Sequence, residues 1–282
     1  MNYSVHRIKI LREIAMPLLK WFGKDIEIVH PWIKEAKVFL HSFKHKGYWY
    51  HGVNREIRTM KLFRVLIKEG FRVTEVGGHI GFISMYFSWL VGEKGKVIIF
   101  EPGSNNLPYI RKNTNSLSDR PGFSKIELIE KAVGDKDGES ILYEESLTGQ
   151  NNSLVKNFKG LEHNINFSYV KSEIKEQPVS IVSLDSFFLK EGTVDFIKID
   201  VEGFEFNVLM GALKTIQINL PIMMVEVQAN QQEIFEILKM INYSLFNEYR
   251  QELVRAEDMK GNVFCLHTAK HREIILEKFR AI

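Results

Sequence analysis

The chain has 282 residues, 45% hydrophobic and 26% charged, a composition that allows one sizeable core plus an extension and argues against disorder. A formal net charge of +3 gives no general electrostatic case for nucleic acid as the main partner, and the single cysteine, Cys265, excludes an internal disulfide framework and a cysteine-based zinc site. No apolar run near the amino terminus is long enough to span a bilayer or to serve as a secretory core, so a cytoplasmic protein is expected, with attachment to a membrane surface left open.

Residues 1–60 read as a helical extension. Leu11, Ile14, Ala15 and Leu18 fall at helical spacing, and Trp32, Ala36, Phe39, Leu40 and Phe43 do so again after Pro31. The second predicted helix carries Lys34, Lys37, His41, Lys44, His45 and Lys46, a basic face suited to solvent or to an acidic partner. The run Tyr48-Trp49-Tyr50 is read as packing into the core or a homo-oligomer interface in preference to stacking on a sugar ring.

Residues 61–282 form the main predicted domain. Strand-like runs at Phe71 to Val76, Lys96 to Phe100, Lys125 to Glu130, Val194 to Asp200 and Ile222 to Val227 alternate with amphipathic helical stretches. Tyr243 to Phe246 and Asn262 to His267 add a closing hairpin. The expectation is an α/β fold: a Rossmann-like, mostly parallel, seven-stranded sheet with helices on both faces. An insertion over about 138–187 interrupts the alternation, with a strand-like ESILYEE, a polar TGQNNSL loop and a strand-like VSIVSL.

Three segments carry chemistry. In Glu75-Val76-Gly77-Gly78-His79-Ile80-Gly81 a strand runs through glycines into a helix, which lets the backbone turn sharply and a ligand approach closely. A dinucleotide fingerprint would need glycine where Val76 stands, and a carboxylate at Glu75 would repel a pyrophosphate while suiting the amino acid part of S-adenosylmethionine. Glu101, at the end of the next strand, is placed to accept hydrogen bonds from ribose hydroxyls. In Asp195 to Glu205, Lys198 and Asp200 point to the same side of an otherwise apolar strand, and Glu226 interrupts the following strand in the same way.

Taken together, EVGGHIG, FEP, KAVGD, VSLDSF, DFIKIDVEGFE and PIMMVEV, in that order over roughly residues 60 to 245, resemble the FkbM-type methyltransferases of the Rossmann-like S-adenosylmethionine-dependent class. The resemblance implies that Glu75, Gly77, Gly78 and Gly81 form the cofactor loop, where many relatives carry Asp for Glu75 and Ala-Asn for Gly78-His79. It also implies that Glu101 holds the ribose, that Ala132 and Val133 contact adenine, and that Asp200 faces the transferred methyl group. Relatives often carry His where this chain has Gln228.

The expected function is therefore methyl transfer to a hydroxyl of a sugar, glycolipid or other polyhydroxylated small molecule, with Asp200 the first candidate base, Glu226 the second, and Lys198 orienting the carboxylate. The uncharged Gln150, Asn151 and Asn152, with His79 and Glu202, are the expected acceptor contacts. A divalent metal between carboxylates at two strand ends is a less favoured alternative, because a third ligand is not evident. The rival classes are an NAD(P)-dependent oxidoreductase, which Glu75 and Val76 oppose, and a non-catalytic module that binds a partner through its basic extension.

Overall fold

The computed structural model describes residues 18–33, 36–161 and 173–280. Its first part differs from the expected helical extension. Strands β1 (Asp25–Val29) and β2 (Lys37–His41) form an antiparallel hairpin across a short turn at Pro31–Ile33. The reason lies in the burial: Ala36, Val38 and Leu40 are fully buried, whereas Lys37 is exposed, a period of two that belongs to a strand. Positions 32, 36, 39, 40 and 43 also satisfy a helical stripe, and short β-branched and aromatic runs meet both templates.

The predicted basic helical face does not form either. His45 is buried, with Nδ1 accepting the His41 backbone N–H at 2.9 Å, and Lys37 pairs with Glu27 at 3.3 Å. Lys34, and the predicted helix over residues 11–18 apart from Leu18, lie outside the described residues. Two helices follow the hairpin, α1 (Lys46–His51) and α2 (Ile57–Leu66).

The main sheet is built from β3 (Arg72–Val76), β4 (Lys96–Phe100), β5 (Lys125–Ile129) and later strands, with α3 (Phe82–Val91) and α4 (Leu107–Asn115) as crossovers. A second, three-stranded sheet then interrupts it, made of β6 (Ala132–Val133), β7 (Gly138–Glu145) and β8 (Ile174–Val182) in the order β6-β8-β7. After α5 (Leu184–Glu191) the chain returns to the main sheet with β9 (Phe196–Ile199). It continues through α6 (Glu205–Met210), α7 (Leu213–Asn219), β10 (Ile222–Val227) and α8 (Gln231–Met240), and closes with β11 (Tyr243–Phe246) and β12 (Gly261–His267).

The seven strands lie in the order β11-β12-β10-β9-β3-β4-β5, and only β12 runs against the others. Both faces are covered, which is why the central strands read as continuous apolar runs. Phe63 and Leu66 of α2, Met85 and Phe87 of α3 and Ile110 of α4 pack on one face with the hairpin. Leu184, Val208, Ile216 and Leu238, from α5 to α8, pack on the other.

Strand β3 is the pivot of this arrangement. The chain proceeds from it to β4 on one side, and returns to β9 on its other side. Helices from the two halves therefore diverge at this point, leaving a crevice at the carboxyl ends of β3 and β9, where open α/β sheets receive ligands.

Candidate active site

A row of charged side chains crosses the floor of the crevice. Glu75 and Lys198 are direct register partners on β3 and β9, and Lys198 faces Met224 of β10 in turn. Because side chains two apart share a face, Glu75, Lys198, Asp200 and Glu226 all project toward the same side. Lys198 Nζ lies 3.2 Å from Glu75 Oε1 and 2.9 Å from Asp200 Oδ2, with Lys198 3% and Glu75 1% exposed. Ser84 of α3 donates to the other Glu75 oxygen. Burial opposes charge on Lys198, but Asp200 and Glu75 outweigh it and hold the ammonium's pKa well above the ordinary lysine value.

The carboxylates titrate very differently. Burial works against the charge on Asp200, yet Lys198 and a hydrogen bond from Glu226 keep its pKa below the usual aspartate value. The Asp200 charge, reinforced by burial, pushes Glu226 up to about 11. Burial and Asp200 together raise Glu202 to about 8. Near neutral pH Asp200 is thus the anion of the group, and Glu226 holds a proton that it donates to Asp200.

The glycine loop closes over this row. Gly77 and Gly78 both donate their backbone N–H to the Phe100 carbonyl, at 3.0 and 3.2 Å. Gly77 has φ of +87°, and a Cβ there would lie 1.8 Å from the Asp200 carbonyl oxygen, so the bare backbone is what lets the ends of β3 and β9 meet. At Gly78 a Cβ would overlap Ile99 Cγ2 at 2.3 Å, so the close approach of the loop to β4 requires glycine here.

His79 adopts φ of +48°, the left-handed region in which Asn and His are both enriched, so the exchange of Asn for His preserves the backbone. Its ring is fully engaged: Nε2 lies 3.2 Å from the Thr148 carbonyl and Nδ1 lies 3.0 Å from the Tyr48 hydroxyl. A carbonyl only accepts, so Nε2 carries the hydrogen and Nδ1 accepts from Tyr48. Burial lowers the ring's pKa to about 4 and keeps it neutral.

Glu101 lies beyond the loop with both oxygens in use. Oε2 accepts the His79 N–H at 2.7 Å, and Oε1 accepts the Gly103 N–H at 2.9 Å and the Asn106 amide at 3.2 Å. Burial raises its pKa to about 7 against the pull of those donors. Farther along, Ala132 and Val133, with Leu142 and Leu154 from the inserted sheet region, provide an apolar wall. These features share one cavity of about 330 Å³.

The cavity gathers every residue singled out from the sequence except Gly81, which sits at the start of α3 with φ of +80°. Asn152 is tied to Asn105 (2.7 Å) and to the Glu145 backbone N–H (3.1 Å), so it shapes the loop. Among the described residues the Gln150 side chain has no protein hydrogen bond and borders the cavity. Three carboxylates, Asp200, Glu202 and Glu226, offer oxygens within 4.8 Å of one another, supplying the third acid that the strand ends alone did not reveal.

Tyr48, expected to pack into the core or an interface, lines the cavity, as do Arg55, Glu56, Asn106, Lys131 and Asn262, which had no assigned role in the sequence. Asn262 is the register partner of Glu226 on β12. Arg55 lies over the Tyr48 ring at 4.4 Å, and burial opposes its charge while the carboxylates of Glu56 and Asp200 support it. The aromatic run around Tyr48 was the one signal available for this wall.

The architecture, a mixed sheet of seven strands pivoting on β3 over an acid-lined crevice, is that of the class I methyltransferase fold. The model of the methyltransferase FkbM domain matches residues 75–260, and the chain belongs to that family. Among solved structures it is similar to a methyltransferase FkbM from Methylobacillus flagellatus KT (13% identity, TM-score 0.47, covering 74% of this chain and 55% of that one). It is also similar to a putative rRNA-methylase from Clostridium thermocellum (12% identity, TM-score 0.41, 73% of this chain and 90% of that one). A third is a SAM dependent methyltransferase from Aquifex aeolicus (16% identity, TM-score 0.38, 74% of this chain and 89% of that one). The chain spans little more than half the length of the Methylobacillus flagellatus structure. No curated protein matches it.

The contact at Gly77 gives a direct test. Gly77→Ala combines a strained φ with a backbone collision and is expected to lower folding stability by about 3 kcal/mol or more. Chemical denaturation measures it, and a change within about 0.5 kcal/mol would contradict the packing of β3 against the Asp200 turn.

Proposed function

We propose that the protein transfers a methyl group from S-adenosylmethionine to a hydroxyl of a sugar, glycolipid or other polyhydroxylated acceptor. The observation that carries this reading is the cluster at the crevice, where Asp200 lies 2.9 Å from the Lys198 ammonium and offers an oxygen within 4.8 Å of those of Glu202 and Glu226. The donor set fits an adenosyl sulfonium: bare backbone at Gly77 and Gly78, a buried acceptor at Glu101, an apolar slot at Ala132 and Val133, and a lining in which six carboxylates outnumber the basic Arg55, Lys131 and Lys198, a balance that opposes a pyrophosphate.

When bound, S-adenosylmethionine supplies a methyl group on positively charged sulfur. The protein's task is alignment and proton removal. Glu101 accepts from the ribose hydroxyls, and Ala132 and Val133 border the adenine. Glu75 acts through Lys198, its register partner across β3 and β9. Asp200, with 28% of its side chain accessible, faces the cavity beside Glu226 and takes the acceptor proton. Lys198 fixes its orientation. Glu226 shares its own proton with Asp200, leaving a single anion toward the acceptor. Gln150, Asn151 and Glu202 supply hydrogen bonds to the remaining hydroxyls, and His79 positions the loop. Family membership and the buried, mutually tuned charges favour this reading over an oxidoreductase or a non-catalytic module.

Asp200→Asn is expected to bind the cofactor normally while turnover falls by roughly 10²- to 10⁴-fold. A labelled-methyl assay across sugar and glycolipid acceptors measures it, and retained activity would remove Asp200 from the role of base. A divalent cation is the second reading, favoured by the three close carboxylates. Activity lost in excess chelator and restored by Mg²⁺ would select that reading, and unchanged activity would discard it.

Glu101 provides a pH test. Its carboxyl is ionised above about 7 and protonated below. Since the anion is the better acceptor for ribose hydroxyls, cofactor affinity is expected to weaken as pH falls from 8 to 6. Glu101→Gln should remove that slope. Calorimetric titration at several pH values checks it, and an equally steep slope in the variant would assign the titration to another group.

A further inference from the structure

The chain's positive charge is concentrated at one end. Residues 1–60 contain 11 Lys and Arg against 5 Asp and Glu, while the whole chain has 38 against 35, so everything after residue 60 is net acidic. In the described part of that segment, residues 18–21 are helical, and Leu18, Trp21 and Phe22 recur at the i, i+3, i+4 spacing of one helical face. That face points outward: Leu18 is 53%, Trp21 86% and Phe22 74% exposed. Lys20 and Lys24, both exposed, flank it.

The patch is joined to the wall of the cavity. The Lys24 N–H donates to Ser42 Oγ at 3.0 Å, and Trp49 Nε1 donates to the Ser42 carbonyl at 2.8 Å. Trp49, 39% exposed, is therefore tied through Ser42 to the backbone at Lys24, while its neighbour Tyr48 on α1 lines the cavity.

We infer that the patch of Leu18, Trp21 and Phe22 flanked by Lys20 and Lys24 is a membrane-docking surface whose partner is an anionic lipid bilayer. Solvent-facing tryptophan and phenylalanine beside lysines suit the headgroup boundary, where indole rings settle and basic side chains meet lipid phosphates. Lys20 and Lys24 beside the exposed rings provide the charge complementarity, and no helix among the described residues is long and apolar enough to cross a membrane. Docking there sets the Tyr48 and Arg55 wall of the cavity beside the bilayer. That deepens the proposed function by selecting an acceptor hydroxyl carried on a lipid. The binding itself is read without turnover, so its failure and the failure of the methyl-transfer reading are distinguishable.

Co-sedimentation of the full chain with vesicles of phosphatidylglycerol and phosphatidylcholine, against phosphatidylcholine alone, tests it. Binding to the anionic vesicles is expected, weakened roughly tenfold or more by raising salt or by Lys20→Glu with Lys24→Glu. Trp21→Ala with Phe22→Ala should also weaken it while leaving calorimetric binding of S-adenosylhomocysteine unchanged, which confirms that the variant is folded. Equal binding to both vesicle types, or none to either, would overturn the inference. So would a homodimer in light scattering that loses its interface in the Trp21 and Phe22 variant and binds no vesicle.

Discussion

The structure turns on one buried contact, the ammonium of Lys198 held between Glu75 and Asp200. Two charges removed from water inside a sheet are costly unless each finds a partner of good geometry. Here the parallel register delivers it, since Glu75 on β3 and Lys198 on β9 stand directly opposite, and Ser84 saturates the remaining oxygen. The contact straddles the seam between the two halves of the sheet, so the interaction that stabilises the pivot also determines which carboxylate at the crevice is ionised. Glu75 and Asp200 compete for one cation. The buried acid is satisfied inside the fold, while the accessible one is left anionic toward the cavity.

Much else follows from closing the chain around that point. Gly77 lets the β3 end touch the Asp200 backbone, and the left-handed turn at His79 directs its N–H to Glu101. The neutral His79 ring then joins three separate parts of the chain, the glycine loop, α1 through Tyr48 and the inserted loop through Thr148. The amino-terminal segment is thus a wall of the cavity as well as an appendage to the sheet.

The central strands and the grouping of Lys198, Asp200 and Glu226 were legible in the sequence, because a charge inside an apolar strand is conspicuous and a two-residue spacing fixes its side, whereas the contact of Glu75 with Lys198 depends on the register of β3 against β9. The hairpin was not, because residues 32 to 43 satisfy two periodicities and only burial separates them. Arg55 and Glu56 reach the cavity through tertiary packing of a segment far from the motifs, which no local pattern reports. The function of Glu202 within the acid cluster was hidden for a related reason: it follows the strand, on a turn with φ of +54°, where alternation no longer gives direction.

A double-mutant cycle on folding stability tests the central contact most directly, with Lys198→Met, Glu75→Gln and their combination followed by chemical denaturation. Lys198→Met should destabilise the fold by about 3–5 kcal/mol by stranding a buried carboxylate, and adding Glu75→Gln should recover most of that loss. Strictly additive effects, or a Lys198→Met variant as stable as the parent, would contradict it.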